Sequence, residues 1–240
     1  YSLPLGPSGV IDMERSAPDF TAYRDVSERK RAFFDYLLPK IREANEAVIR
    51  EREWLLALTR YLQTSGPLPA SQLEELSIFE KRYAVRSPAG DPLSRIDALL
   101  ARVDVVPASL ILAQAAYESG WGTSRFAREG KNFFGIRCFD AGCGLTPRER
   151  PEGNTHEVAV FGSTAAGVQF YMRAINSHEA YQELRQMRAH ARQQDQLLPG
   201  IQLATGLARY SQRGDDYIKE IQSMIRYNEL QRFTRQGNRA

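Results

Sequence analysis

A single glutamate, Glu118, stands where an apolar helical pattern ends, and its setting favours proton transfer. The pattern covers residues 106–117 and stops at a Gly-Trp-Gly sequence, residues 120–122. A carboxylate at a helix C-terminus lies at the negative end of the helix dipole, which disfavours its ionisation. Aromatic neighbours such as Tyr117 and Trp121 would also remove water from this carboxyl and raise its pKa. Because both effects keep a proton on Glu118 near neutral pH, the sequence predicts a general acid. The alternative is a solvated acid at a helix end.

The two cysteines, Cys138 and Cys143, lie in a glycine-rich segment and allow three interpretations. Four residues separate them, which is not the Cys-x-x-Cys spacing of thioredoxin-like sites. A zinc site would need two more ligands, for which His156 and His178 are the nearest candidates. Two buried free thiols are a second alternative. We predict the third, a local disulfide, which is typical of an oxidising compartment such as the periplasm.

The remaining residues do not form other familiar catalytic patterns. His156, His178 and His190 do not combine with a serine or cysteine in a triad pattern, so we interpret them as structural or surface residues. No glycine-rich phosphate loop follows a predicted strand, which argues against a nucleotide enzyme. We therefore expect neither a metal nor a cofactor.

The segment around Glu118 resembles the glucosaminidases of glycoside hydrolase family 73, which cut the glycan strands of peptidoglycan. Glu-Ser-Gly-Trp-Gly at residues 118–122 and Asn-Phe-Phe-Gly-Ile at residues 132–136 carry this resemblance, which spans roughly residues 93–231. Within that family the chain is most similar to the Bax-type proteins of Gram-negative bacteria. The segments behind this narrower resemblance are residues 138–147, 155–161, 176–181 and 217–228. The resemblance implies a lysozyme-like α+β fold and a periplasmic β-N-acetylglucosaminidase.

The resemblance also implies a second carboxylate on a small β-lobe opposite the acid, in a Thr-x-Glu context. Thr155-His156-Glu157 fits that context, so Glu157 is the predicted catalytic partner. A glycosidase commonly uses such a group as a nucleophile or as a base for water. Glu149 and Glu152 on a proline-rich loop are rival candidates. Alternatively, Glu157 is an outward-facing strand residue, and the acetamido group of the substrate replaces a protein nucleophile.

Further site residues follow from the same resemblance. The family places a tyrosine near the acid, and Tyr210 is the matching candidate, although the residues after it depart from the family motif. Its alternative is a core aromatic residue at a helix end. Trp121 and Phe133 are predicted to stack on sugar rings, with core positions as their alternative. Asn132 would hydrogen-bond an acetamido group or cap a turn, and Phe134 is predicted to be a core residue.

Apolar periodicity predicts the helices that must position these groups. A long helical pattern begins at Glu28 and runs to Leu62, and Pro39 within it predicts that the helix starts or kinks there. A capping box at residues 71–74 predicts the start of the next helix. Asp91, followed by a proline, predicts the start of another, with Asp91 as its N-cap.

The second half of the chain has one region without helical periodicity, between residues 136 and 161. Residues 156–161 alternate like a short strand, so a β-hairpin is predicted there. Helices are predicted from residue 163 onward and at residues 179–192, 197–209 and 215–230. The predicted fold class is therefore mainly α, in a lysozyme-like α+β architecture: a helical catalytic lobe, a small β-hairpin lobe and an N-terminal helical extension.

Four regions are predicted along the chain. They are an extended lead-in at residues 1–27, the helical extension at 28–90, the glucosaminidase domain at 91–231 and a tail at 232–240. The helical extension lies outside the resemblance and is expected to pack on the catalytic domain rather than form an independent one.

Composition and charge limit the class of protein and its partners. Hydrophobic residues make up 42% and charged residues 25%, as in globular proteins, and no apolar run reaches the about 20 residues that span a bilayer. The net charge of +3 suits an anionic polymer such as peptidoglycan, whose stem peptides carry carboxylates. Basic residues alternate with acidic ones instead of forming a nucleic-acid-binding block. No signal-peptide pattern stands at Tyr1, so we interpret the chain as a mature or trimmed form of an exported, periplasmic protein. We expect it to be a monomer.

The sequence therefore predicts an endo-acting β-N-acetylglucosaminidase that cleaves peptidoglycan glycan strands with Glu118 as general acid. A lytic transglycosylase is the first alternative, because it is also lysozyme-like with a single acid and leaves a 1,6-anhydro product. A non-catalytic protein that binds or organises the cell wall is the second.

Overall fold

The computed structural model describes residues 17–86, 90–148, 153, 155–211 and 213–235. Within these residues the chain forms ten α-helices and three short strands. The helices are α1 (Val26–Thr64), α2 (Ala70–Arg82), α3 (Pro92–Leu100), α4 (Ala108–Ser119), α5 (Arg125–Gly130), α6 (Thr164–Ser177), α7 (Gln182–Gln193), α8 (Gly200–Leu203), α9 (Asp215–Tyr227) and α10 (Gln231–Arg235). The strands are β1 (Arg137–Cys138), β2 (Gly144–Leu145) and β3 (Glu157–Ala159), and 3₁₀ helices cover Glu179–Tyr181 and Ala204–Leu207. The prediction of a mainly α fold with a small β-lobe is confirmed.

Helix α1 is a single element of 39 residues that passes through Pro39. The prediction that a helix could start at Pro39 is wrong. The helix starts after Asp25, whose carboxylate accepts a hydrogen bond from Glu28 N at 2.9 Å. Proline removes a backbone donor and disfavours a helix interior. Buried side chains on both sides of it, including Phe34 and Ile41, hold the helix against the core, and this packing outweighs the lost bond.

Of the two predicted helix starts, the one at α2 is wrong and the one at α3 is confirmed. Helix α2 begins directly after Pro69 without a side-chain cap, so the capping box predicted at residues 71–74 does not form. Because the Pro69 carbonyl already accepts a bond from Gln72 N at 3.0 Å, the helix starts before the box. Helix α3 is capped as predicted, since the Asp91 carboxylate accepts a hydrogen bond from Leu93 N at 2.9 Å.

Helix α4 is the centre of the core. Ten of its twelve residues are buried, and it packs against α1, α8, α9 and α10. A helix that is apolar on all sides must be surrounded by other elements rather than by water. It ends at Gly120, which has a left-handed φ of 55°, so Glu118 lies in its last turn.

The β-lobe is a three-stranded antiparallel sheet in the described residues, not the predicted hairpin. Strand β3 lies in the centre and pairs with β1 on one side and β2 on the other. In this register Cys138 lies opposite Glu157. The strand predicted at residues 156–161 is confirmed over Glu157–Ala159. The other two strands have two residues each, which is too short for an alternating pattern to reveal them.

The segment predicted as one helix over residues 197–209 is split into α8 and a 3₁₀ helix. Gly206 in this segment lies so close to α7 that an added Cβ would stand 2.5 Å from Leu184 Cα. Close packing on α7, together with the weak helix propensity of glycine, accounts for the irregular geometry. The helix predicted at residues 215–230 is confirmed as α9.

Asp104 connects the N-terminal helices to the rest of the core. Its carboxylate is 3% exposed and accepts two hydrogen bonds from the Arg192 guanidinium of α7, at 2.7 and 2.8 Å. Arg52 of α1 donates to the Val103 carbonyl at 2.9 Å and lies 3.8 Å from Asp104. Burial disfavours the charge on Asp104, but the bonds from Arg192 and the charges of Arg188 and Arg52 lower its pKa. Helix α1 thus packs on α3, α4 and α6 around a buried ion cluster.

Candidate active site

Glu118 lies beside a turn at the end of α4 that several hydrogen bonds hold in place. Ser119 Oγ donates to the Ala115 carbonyl at 2.6 Å and accepts a bond from Gly122 N at 2.8 Å. The N–H of Trp121 also donates a hydrogen bond to the Ala116 carbonyl at 2.9 Å. These bonds satisfy the helix end and fix the direction in which the half-buried Glu118 side chain leaves it.

The Glu118 carboxyl lies between α9 and the Asn132–Gly135 turn. Tyr217 OH donates a hydrogen bond to Glu118 Oε1 at 2.9 Å. Gly135 lies on the other side, where an added Cβ would stand 3.6 Å from Glu118 Oε2. Burial raises the pKa of Glu118, and the bond from Tyr217 opposes that rise in part. The two motifs of the sequence therefore meet at a carboxyl that holds its proton to higher pH, as a general acid requires.

A chain of buried hydrogen bonds ends at the acid. Gln114 Nε2 donates to Tyr217 OH at 2.9 Å, and Tyr217 in turn donates to Glu118. Tyr171 OH donates to Gln114 Oε1. The sequence did not predict roles for Gln114 or Tyr171. A signal existed for Gln114, because a polar residue inside an all-apolar helix needs a buried partner.

Tyr210 lies beside the acid but does not contact it through a hydrogen bond. Its OH donates to the Phe134 carbonyl at 2.9 Å, and its ring stacks on Tyr217 with centroids 5.3 Å apart. Burial raises the pKa of Tyr210 well above its usual value, and the nearby charge of Glu118 adds to that rise. The catalytic role of Tyr210 stays a prediction, and the hydroxyl that bonds the acid belongs to Tyr217, for which the sequence predicted no role.

Trp121 lies half-buried at the edge of an aromatic cluster. Its ring packs edge-on against Phe33 and Phe34 of α1, with centroids 5.5 and 5.6 Å apart. The ammonium of Lys30 lies 4.7 Å from the Trp121 centroid. Gly122, the next residue, has a φ of 77° and no space for a side chain. An added Cβ there would stand 2.3 Å from the Phe20 ring, which belongs to the lead-in before α1.

The predicted stacking of Phe133 on a sugar ring does not fit its position. Phe133 is 1% exposed and packs against Phe20, Phe33 and Tyr36, with centroids 6.0–6.3 Å apart. A ring enclosed by three others has no face available to a sugar in this conformation. Phe134 is a core residue, as expected, because it is 2% exposed and stacks on Tyr171 at 4.1 Å.

The Asn132 side chain is also buried and bonded to the backbone, so it is not accessible to a ligand. Its Nδ2 donates to the carbonyls of Ile136 and Ala159, both at 2.9 Å. Its Oδ1 accepts bonds from the N–H groups of Phe134 and Ile136, at 3.3 and 3.1 Å. Since this 1% exposed amide is fully bonded to backbone, it caps the turn, and an acetamido contact would require these bonds to break. Asn132 thereby ties the turn beside the acid to β3.

Glu157 lies on β3 beside a loop closed by a disulfide between Cys138 and Cys143. Its Oε1 accepts a bond from Gly142 N at 3.2 Å and its Oε2 one from Gly144 N at 2.7 Å. The half-buried carboxylate is therefore held by backbone N–H groups in this loop and directly after it. The rival residues Glu149 and Glu152 lie outside the described residues.

Metal binding by the cysteines does not fit this arrangement. Cys138, Cys143 and Glu157 form the one cluster of three potential metal ligands in the described part of the chain. Because both sulfurs are in the disulfide, neither supplies the thiolate that a zinc site would need. His178 Nδ1 instead accepts a bond from Ala180 N at 3.1 Å. Among the described helices, none is long and apolar enough to cross a bilayer.

Comparisons with known proteins agree with this geometry. The Glucosaminidase family, described as mannosyl-glycoprotein endo-beta-N-acetylglucosaminidase, matches residues 95–230, which include both Glu118 and Glu157. Protein bax of Escherichia coli (strain K12) is 32% identical over 214 residues, which cover 89% of this chain and 75% of that protein. No solved structure matches the chain. The chain belongs to the Glucosaminidase family.

Proposed function

We propose that this protein is an endo-acting β-N-acetylglucosaminidase that hydrolyses the glycan strands of peptidoglycan, with Glu118 as its general acid. Membership of the Glucosaminidase family supports a glycan hydrolase. The observation that carries the assignment is the Glu118 carboxyl itself. Burial raises its pKa, and the Tyr217 hydroxyl bonds one of its two oxygens.

In this proposal Glu118 protonates the glycosidic oxygen through Oε2. The other oxygen, Oε1, accepts the hydrogen bond from Tyr217, whereas Oε2 faces Gly135, which has no side chain to block an approaching substrate. The active form of Glu118 is the protonated one. Activity is therefore lost as the pH rises through the pKa of Glu118, and the raised pKa extends activity toward neutral pH.

The positive charge that develops on the sugar also needs an electron-rich partner. We propose Glu157 for this role, with the acetamido group of the substrate as the alternative. Bonds from Gly142 and Gly144 fix the Glu157 carboxylate on the β-lobe. Strand β1 pairs with β3 and begins two residues after Gly135, which lies beside the acid.

Product analysis tests the reaction. Purified peptidoglycan is digested with the protein, and the released muropeptides are identified by mass spectrometry. We expect fragments with N-acetylglucosamine at the reducing end. Fragments that end in 1,6-anhydro sugars would instead identify a lytic transglycosylase, and binding without any released fragment would identify a non-catalytic wall protein.

We also propose that the protein acts in the periplasm. Disulfides persist in oxidising compartments and are rare in the cytosol, so the Cys138–Cys143 bond supports this location. Peptidoglycan would be accessible there. Alkylation of protein taken directly from the periplasm should leave both cysteines unmodified, and labelled Cys138 or Cys143 would contradict the disulfide and remove its support for the location.

A further inference from the structure

A pocket of about 460 Å³ lies between α1 and α9, next to the turn that follows Glu118. Its lining includes two aromatic rings, two lysines and two small polar side chains, namely Trp121, Tyr227, Lys30, Lys219, Ser223 and Asn228. Tyr227 is 83% exposed, although it is a large ring at the end of a regular helix. Lys30 comes from α1, outside the matched region 95–230. The N-terminal extension therefore contributes a cation to a pocket whose other lining residues lie in the matched region.

Lys30 is a fixed cation that has no counter-charge among the described residues. Its Nζ donates to Asn228 Oδ1 at 2.8 Å and lies 4.7 and 5.0 Å from the ring centroids of Trp121 and Tyr227. In the part of the chain that the structure describes, Lys30 forms no ion pair. Glu220, the carboxylate of the lining, pairs instead with Arg213 at 2.7 Å. An ammonium that an amide and two rings hold in place is prepared to bind an anion, because little further ordering is needed.

The pocket lies further along the face of α9 that carries Tyr217. Tyr217 bonds Glu118, and Glu220, Met224 and Tyr227 follow it at helical spacing on the same face. The helix rises about 15 Å over the ten residues from Tyr217 to Tyr227. A ligand that contacts both the acid and the pocket must therefore be extended, as a glycan strand is.

We propose that this pocket binds a carboxylate carried by the glycan strand, at a distance from the bond that Glu118 cleaves. Lys30 pairs with the carboxylate, and the exposed ring of Tyr227 packs on the apolar part of the attached group. In peptidoglycan such a carboxylate belongs to the lactyl group of muramic acid or to the stem peptide. The inference deepens the proposed function and rests on it, since it makes peptidoglycan a better substrate than a neutral polymer of N-acetylglucosamine.

Lys30→Met is the test variant, because methionine keeps an unbranched apolar chain between the two rings and removes the charge. The kcat/KM is measured for the variant and for the wild type, on peptide-bearing strands and on neutral chitin oligosaccharides. For each protein the value on peptide-bearing strands is divided by the value on chitin oligosaccharides. We expect this ratio to be about tenfold lower in the variant, the loss expected for one charge-assisted contact. An unchanged ratio would overturn the inference.

A third substrate distinguishes the two sources of the carboxylate. Strands from which an amidase has removed the stem peptides keep the lactyl carboxylate. If the effect of Lys30→Met persists on these strands, the lactyl group is the ligand. If the effect is confined to peptide-bearing strands, the stem peptide is the ligand.

Two further variants control the experiment. Lys40 lies on the same helix, also over an aromatic ring (Tyr36, at 3.9 Å), but does not line the pocket. Lys40→Met should therefore keep the wild-type ratio. Asn228→Asp keeps the shape of the side chain and places a carboxylate against Lys30, where the ligand would bind. It should lower the ratio as Lys30→Met does, even if Lys30→Met itself fails to fold.

Binding separates this inference from the proposed function. Glu118→Gln protein is sedimented with peptide-bearing strands at low salt, with and without Lys30→Met. If the wild type releases no product but binding still depends on Lys30, the hydrolase is contradicted and the pocket is supported. If the wild type cleaves normally and neither Lys30→Met nor Asn228→Asp changes the ratio, the pocket is contradicted and the hydrolase remains.

Discussion

Glu118 and Glu157 are both half-buried glutamates, yet their surroundings are built in different ways. Glu118 is held by the hydroxyl of Tyr217, a residue 99 positions further along the chain. Glu157 is held by two backbone N–H groups that are 15 and 13 positions away, that of Gly142 inside the loop closed by the disulfide and that of Gly144 just after it. The environment of the proposed acid thus depends on the packing of distant helices, whereas that of its proposed partner is local. The two halves of the site should therefore respond differently to substitution.

Replacement of the acid should have the largest effect on rate. Glu118→Gln keeps the size of the side chain and removes the transferable proton, so we expect turnover to fall by about 10² to 10⁴. Hydrolysis of purified peptidoglycan measures the loss, and circular dichroism verifies the fold. Glu129→Gln, at an exposed position on α5, serves as the control. Wild-type turnover by a folded Glu118→Gln protein would contradict the assignment.

Replacement of the proposed partner should have the next largest effect. We expect Glu157→Gln to lower turnover by about 10², on the order of a general-base contribution. Glu149→Gln and Glu152→Gln, assayed under identical conditions, test the rival residues and should change the rate little. If Glu157→Gln keeps most of its activity, Glu157 only supports the disulfide loop, and the acetamido group of the substrate becomes the preferred partner.

Removal of the long-range hydrogen bond should shift the pH dependence of the reaction. The bond from Tyr217 lowers the pKa of Glu118, so Tyr217→Phe should raise that pKa further. Because the protonated carboxyl is the active form, the alkaline limb of the kcat/KM profile should move to higher pH. The rate at the optimum should fall about tenfold, since one buried hydrogen bond is lost.

Tyr210→Phe is the matched control for this shift. It removes a hydroxyl that bonds the Phe134 carbonyl and not the acid, while the stacked ring stays in place. The alkaline limb should not move in this variant. Equal shifts in both variants would show that general disturbance of the aromatic packing, rather than the bond to Glu118, sets the pKa.

Removal of the disulfide should have the smallest effect on rate. Opening so short a loop by replacing Cys138 and Cys143 with serine should cost about 2 kcal/mol of stability, by the loop-entropy relation. Because the bonds to Glu157 come from Gly142 in this loop and from Gly144 of β2, and do not involve the sulfurs, activity should fall by less than it does in Glu157→Gln. Thermal unfolding measures the first effect and hydrolysis the second. A fall in activity as large as that of Glu118→Gln would mean that the acid also depends on the β-lobe.

The sequence was informative wherever the determinants are local. The end of α4 at Gly120 followed from an apolar helical run that stops at a glycine, and the cap at Asp91 followed from its position before a proline. The pairing of Cys138 with Cys143 was also predicted, because the two residues are neighbours in a flexible segment. In each case a few adjacent residues decide the conformation.

The sequence failed where a contact joins distant segments. Tyr210 was chosen from a motif resemblance and its role stays a prediction, whereas Tyr217 was given no role, because only the docking of α9 on α4 decides which hydroxyl reaches Glu118. Phe133 was taken for a sugar contact because its burial depends on Phe20, far away in the lead-in. These assignments depend on tertiary packing, which neither helical periodicity nor a short motif contains.

The contact between Phe20 and Gly122 has a practical consequence for anyone who shortens this chain. The matched region begins at residue 95, but the ring that covers the turn after the acid belongs to a segment that precedes α1. A fragment cut at the edge of the matched region would lose that ring and uncover Phe133 and Trp121, which α1 also covers. We therefore expect a stable fragment to be longer than residues 95–230 and to begin before Phe20.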